Sequence, residues 1–424
     1  MQPPDRPGPG RRSLLLAGAG AMAGGWLGAP PAAASPREAG RPGMRLSATD
    51  FGAVGDGRAD DTQALQNALT AAFSGAGALL TIPPGDYRVT RGLQVTLTGE
   101  VTRQHGIIAH GARLVSEIRG KVSVLRIDSA ATARFMLIEG LDILGNGKDG
   151  HGIEVLCESK EHYLYNFCLR DVVVQNCGGD GCHLEGNVFE GQLINCYLRH
   201  NGGNGATFAH GRRAGILSAM HVMGCVFGEN AKNGVAMIQG CYDVGFHGCY
   251  FLLSGRFGLQ AENGCTLLTH CGFENNHEAA RDFAGGGAGI SLQGFATLVG
   301  CTAYSMFKQQ RLIDAYVTGR LVMVGCAGSG DAGARQAGLA RLRGDGKATA
   351  TVVGCSGRIS YQGGFEGTEL GNDGAGGGLR CGAGWQSKNQ LRLGDYHLWV
   401  DRSGRLRIKD SPPQRDDDGA AVGV

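Results

Sequence analysis

Leu193-Ile194-Asn195-Cys196, Val222-Met223-Gly224-Cys225, Leu298-Val299-Gly300-Cys301, Val322-Met323-Val324-Gly325-Cys326 and Val352-Val353-Gly354-Cys355 are copies of one phrase. An apolar run is closed by a small or polar residue and then a cysteine. With Cys249 and Cys271 included, successive cysteines lie 29, 24, 22, 30, 25 and 29 residues apart by subtraction. Two positions on comes an apolar residue, as Leu198, Phe227, Phe251 and Phe273; five positions on comes Asn201, Asn230, Ser254 or Asn276. Asp171, Val173 and Asn176 fit the same offsets one copy upstream.

Self-similarity at this period marks a solenoid. Each copy is short, β-branched and Gly-rich, with apolar residues two apart, so each coil is built of strands and turns. The spaced leucines of leucine-rich repeats are missing. The fold predicted is all-β: a right-handed parallel β-helix with equivalent residues on successive coils about 4.8 Å apart. Cysteines and phenylalanines should stack inward and asparagines should line a turn. Variable spacing is absorbed in loops while strands keep register.

The chain has 424 residues, with 75 Gly and 12 Pro. Hydrophobic residues make up 42%, enough for a full core, and glycine has no three-residue period, which excludes collagen. A net charge of +2 argues against a nucleic-acid partner. Residues 1–34 read as a twin-arginine signal peptide: Arg11-Arg12-Ser13-Leu14, a Gly/Ala-rich run, then Ala32-Ala33-Ala34 as cleavage site. The expected location is secreted or periplasmic, free of the membrane after cleavage. This route carries folded proteins, so the 14 cysteines fold under reducing conditions. Ladder neighbours with parallel Cβ directions suit a disulfide poorly. They read as buried free thiols, and no cysteine spacing suggests a zinc site.

Residues 35–43 form a linker, 44–362 the β-helix, 363–385 a Gly-rich linker and 386–424 a C-terminal module with a β-hairpin around Asp401–Gly404. Asp50-Phe51-Gly52-Ala53-Val54-Gly55-Asp56-Gly57 leads into Asp60-Asp61-Thr62-Gln63-Ala64-Leu65, where the two aspartates suit a helix N-terminus. Leu65, Ala68, Leu69 and Ala72 give that helix, near 61–73, one apolar face. It should cap the open end of the solenoid. The run Asp50–Leu69, with Ile82-Pro83-Pro84-Gly85-Asp86-Tyr87, resembles the N-terminal signature of the pectate-lyase-like superfamily, which includes rhamnogalacturonase- and epimerase-like proteins. The resemblance implies the fold and places these aspartates in the cap, outside any catalytic centre. The C-terminal hairpin is similar to modules on phage tail-fibre and secreted β-helix proteins, which implies an end cap or a homotrimer contact.

Gly152, Gly181, Gly205, Gly234 and Gly258 each precede an alternating triplet, which sets a second register. It places His151 and Glu154 over Asp180 and His183 on the next coil. This quartet is the candidate catalytic set, expected as one solvent-facing patch. Lys148, Asp149, Glu185, Arg199 and His200 are the candidate substrate-binding residues around it. Stacked carboxylates suit glycoside hydrolysis. A lyase needs a base, His183 or His151, and a cation, Arg199 or Lys148. No metal or other cofactor is expected, except that a lyase would admit a divalent cation such as Ca2+. The ordered motifs of polygalacturonases are not reproduced, and Arg407-Ile408-Lys409 falls in the C-terminal hairpin, so pectin is not supported as substrate. Two functions remain: a secreted enzyme cleaving an extracellular polysaccharide, as lyase or glycoside hydrolase, or a non-catalytic, tail-fibre-like β-helix that binds a surface or glycan.

Overall fold

The computed structural model describes residues 45–423, except 75–76, 212–214, 277–287, 306–310, 318, 331–338, 345–347, 358, 363–364, 371–378, 382–389, 394–395, 412 and 416. The expected signal peptide and first linker lie outside the described residues, as does most of the Gly-rich linker. No helix among the described residues is long and apolar enough to cross a membrane.

The described strands wind into parallel stacks. One face begins with Arg45–Ser47 and Leu79–Thr81, continues through Cys168–Arg170 and Gln192–Ile194, and ends with Ala348–Val353 and Phe365–Leu370. A second runs from Asp56–Asp60 and Gly85–Val89 through Val173–Gln175 and Tyr197–Arg199 to Ala327–Gly330. The third carries Leu93–Leu97, Leu125–Ser129, Ile153–Cys157, Cys182–Gly186, Ala206–Ala209 and Val235–Ile238, and ends at Ile359–Gln362. This is the right-handed parallel β-helix that the repeat requires. Its last parallel strand, Phe365–Leu370, lies beyond the expected boundary at 362. The repeat phrase ends at Cys355, so this final turn has no cysteine to mark it.

Alternation fixes what lies inside. Cys196, Cys225, Cys249, Cys271, Cys301, Cys326 and Cys355 are all buried, and all are free thiols. Phe227, Phe251 and Phe273 stack beside them, with centroids 5.3 and 4.7 Å apart. Asn201 and Asn230 form the expected ladder: Asn201 Nδ2 donates to Asn230 Oδ1 at 3.1 Å, and Asn201 Oδ1 accepts the Cys177 amide.

The residue before each ladder cysteine turns the chain between two sheets in the left-handed region. Asn195, Gly224, Gly248, His270, Gly300, Gly325 and Gly354 all have φ between 52° and 61°, where glycine and asparagine are least strained. Asp171 belongs to this position and not to the cysteine slot. Val174 pairs with Leu198, so Val172 lies under Cys196, while Asn195 donates to the Asp171 carboxylate at 2.6 Å. The upstream copy was offset by one residue.

The helix Thr62–Phe73 buries Leu65, Ala68, Leu69, Ala72 and Phe73, as its spacing predicts. Asp61 does not cap it by a side-chain bond. Its buried carboxylate accepts the Val54 and Gly55 amides, and Asp60 takes the Thr62 amide instead. Tyr87 is buried, its hydroxyl donates to the Pro83 carbonyl, and its ring leaves no room for a Cβ on Gly55. The signature is thus a set of mutual contacts around the first coils. At the other end the hairpin grows into a four-stranded antiparallel sheet, Gln390–Leu393, Tyr396–Val400, Leu406–Lys409 and Ala420–Ala421. Arg407 and Lys409 pair there with Asp401 and Asp418, which accounts for that motif structurally.

Candidate active site

The third sheet carries Ile153–Cys157 beside Cys182–Gly186, with Glu154 in register with His183. The parallel ladder continues upstream of these strands, with the Gly152 amide on the Asp180 carbonyl at 2.9 Å, and brings His151 and Asp180 to the same edge. His151 Nδ1 lies 3.5 Å from Asp180 Oδ2, and the two imidazoles are 4.7 Å apart and tilted by 32°. His151, Asp180 and His183 therefore meet as the register predicts, and Glu154 flanks them.

The quartet is not the solvent-facing patch expected. Asp180 keeps 7% of its surface, and the His183 and Glu154 side chains each keep 15%. Asn204 Nδ2 donates to Thr207 Oγ1, and Thr207 donates to Asp180 Oδ2.

Two of the four also belong to a structural ladder. His151 Nδ1 accepts the Asp180 amide at 2.9 Å, and Asp180 Oδ1 accepts the Asn204 amide at 2.7 Å. Asn204 Oδ1 takes the Asn233 amide, and Asn233 Oδ1 takes the Phe257 amide. Each coil hands the next an acceptor.

These bonds fix protonation. His183 places Nδ1 3.0 Å from Asp180 Oδ2 and Nε2 3.0 Å from Glu185 Oε2. With both carboxylates ionised, each ring nitrogen donates to one of them, an arrangement that favours the protonated ring. Burial pulls its pKa down, but the two carboxylates outweigh it and the value is raised. His151 is the reverse case. Burial, against attraction by Asp180, lowers its pKa, and its occupied Nδ1 leaves the proton on Nε2. Neither histidine offers a free lone pair as the general base expected of it. Asp180 stays ionised: burial raises its pKa, but His183 and the Asn204 amide hold it low.

The expected binding residues divide. Glu185 joins the cluster through His183. Asp149 is fully buried and accepts the Gly178 and Asn146 amides, so substrate cannot reach it. Lys148 is exposed on the turn that Asn146 closes, and the lysine acting electrostatically on His151 is Lys232. Arg199 and His200 lie at the end of the second sheet, where both pair with Glu229.

Arg126 is the residue the register missed. It pairs with Glu154 across the strands, its guanidinium 3.6 Å from the Glu154 carboxylate, and it is held by Asp128. Ser123 donates to Glu154 at 2.7 Å. Val124 stands where later coils have the marker glycine, which hid this coil; the apolar–charged–apolar triplet Leu125-Arg126-Ile127 was the available signal. Beside it an open cleft of about 350 Å³ is lined by Arg126, Asp128, Leu156, Glu158, Ser159 and His162.

Residues 46–122 match the family described as rhamnogalacturonase A/epimerase, pectate lyase-like, and residues 125–303 match the right-handed β-helix region. Residues 372–424 match capsule depolymerase. The superfamily resemblance holds. Over 49 residues the chain is 47% identical to mannuronan C5-epimerase AlgE5 and to alginate lyase 7 of Azotobacter vinelandii, which is 12% of this chain and 5% and 6% of theirs. The AlgE4 A-module structure is similar at a TM-score of 0.51 and 16% identity, covering 76% of this chain and 91% of that one. The Streptococcus pneumoniae adhesin PfbA is similar at 0.63 and 14%, covering 86% and 99%. At these identities the structures show the shared fold.

Proposed function

We propose that this pectate-lyase-like β-helix is a secreted enzyme that cleaves an acidic extracellular polysaccharide by β-elimination, on the sheet carrying Arg126, Glu154 and His183. One observation carries the reading. Three successive coils present a cation, a carboxylate and a cation in register: Arg126, Glu154 and the His183 imidazolium. A proton α to a uronate carboxylate becomes removable when that carboxylate is neutralised. Arg126, at the cleft, supplies the charge and Glu154 beside it is the base, while His183, held between Asp180 and Glu185, fixes the far side of the site. The adjoining cleft can hold a sugar ring. Epimerisation at C5 and β-elimination of a uronan share this proton removal, so the names of the sequence relatives support the reading for the short stretch they match. Glycoside hydrolysis by a pair of these carboxylates remains the finer alternative.

The non-catalytic reading has its own observation. His151 and Asp180 fill ladder positions that asparagine fills on later coils, so holding the backbone accounts for part of the cluster.

The test is incubation with acidic and neutral polysaccharides, read for ultraviolet absorbance of an unsaturated product and for reducing ends. Both signals together mark a lyase, and reducing ends alone mark a hydrolase. Retention on a polysaccharide column with neither signal marks a binding protein. In a lyase, Glu154→Gln lowers kcat by about a hundredfold or more.

A further inference from the structure

We infer that His151, Asp180 and His183 form a binding site for a first-row divalent transition metal such as Zn2+. One donor atom from each residue lies within 4.8 Å of the other two. His183 Nδ1 is 3.0 Å and His151 Nδ1 3.5 Å from the same oxygen, Asp180 Oδ2. Ligands held at about 2.0–2.2 Å from zinc are themselves roughly 3–3.5 Å apart by simple geometry, so these two separations need little change.

The surroundings supply an independent argument. A metal-bound histidine usually donates its other ring N–H to a carboxylate, and a metal-bound carboxylate is itself hydrogen-bonded. His183 Nε2 donates to Glu185 at 3.0 Å. Asp180 accepts from the Asn204 amide and from Thr207 Oγ1. Two imidazoles and one carboxylate favour zinc-like ions over Ca2+ or Mg2+, which take oxygen donors. The Ca2+ that a lyase would admit therefore does not suit this donor set.

Without an ion, a proton lies between His183 Nδ1 and Asp180 Oδ2, and His151 Nδ1 accepts the Asp180 amide. Binding sends the His183 proton to solvent and exchanges the His151 amide contact for the metal. A bound ion would lie beside Glu154 and add positive charge for the uronate carboxylate. That use rests on the proposed lyase function, whereas the binding itself does not.

The experiment titrates chelator-treated protein with Co2+ and reads its visible ligand-field absorption, with thermal unfolding in parallel. The expected result is saturation at one ion per chain, a raised unfolding midpoint and displacement by Zn2+. His183→Ala and His151→Asn should each remove the absorption, and Glu185→Gln should weaken binding by about 10- to 100-fold. No saturable absorption with the folded wild-type protein overturns the site. So does absorption that persists in both histidine variants when circular dichroism shows them folded. Absence of lyase activity in wild-type protein that binds Co2+ would count against the proposed function alone.

Discussion

At the scale of single residues, the cluster shows one position serving two ends. The ladder needs an acceptor at Asp180, and asparagine supplies it on later coils. Asp180→Asn therefore keeps the amide satisfied and should cost about 1 kcal/mol through the weakened His183 contact. Asp180→Ala leaves a buried amide and a buried imidazolium without their acceptor, and should cost about 3 kcal/mol. Urea unfolding measures both; equal losses would mean that the ladder is not what Asp180 holds. Exposed residues would have shown almost no change, which is what the outward register alone implied.

The histidines also set a pH dependence, read in metal-stripped protein. The folded pKa of His183 is raised above 6.5, so its stabilisation is complete below that pH and is lost as pH climbs through the folded value. The folded pKa of His151 is below 6.5. The unfolded chain then binds the proton more readily, and stability falls as pH drops from 6.5 toward the folded value. Their joint contribution should peak near pH 6.5. His183→Asn should flatten the alkaline limb and His151→Asn the acidic one, seen as urea midpoints against pH. A wild-type profile unchanged by either substitution would contradict the assigned protonation states.

At the scale of elements, the cysteine ladder was legible because a coil brings the same residue back to the same place every 22 to 30 residues. The turn before it was legible as "small or polar" but not as left-handed, and that gap produced the one-residue slip at Asp171. The φ values now give the rule a test. Gly325 has φ 59° and open space around its Cα. Gly325→Asn should stay within a few tenths of a kcal/mol, and Gly325→Val should cost about 1–2 kcal/mol. The thiols give a second test. The ladder cysteines are all buried, whereas Cys265 is the exposed cysteine among those described. Brief alkylation of folded protein should label Cys265 and spare the ladder, which labels only after unfolding without reductant. Recovery of disulfide-linked ladder peptides would refute the free-thiol reading.

At the scale of the whole molecule, a solenoid's stability passes from coil to coil, and its ends decide whether the first coils form. The N-terminal signature was legible because it is a contact set: Asp61 holds Val54 and Gly55, Gly55 admits Tyr87, and the helix covers the first strands. The candidate site was half legible. Its histidines and carboxylates fall on the register, as does Asn204 before Gly205, but a register does not say that the side chain before each glycine folds back to accept the next coil's amide. The cap yields the last prediction. Leu69 keeps 1% of its surface and Leu65 none, so Leu69→Asp places a charge in the apolar seam between helix and sheet. An unpaired buried charge of this kind costs several kcal/mol. The helix should then detach and uncover the strand edge at Leu93–Leu97, whose Gln94 amide and carbonyl are held by the Gln66 side chain, a template for intermolecular pairing. Leu69→Asp should therefore gain concentration-dependent association in sedimentation and early exchange of amides in residues 45–97. Leu69→Met should do neither. If Leu69→Asp stays monodisperse with wild-type exchange, the helix is not what closes this end of the solenoid.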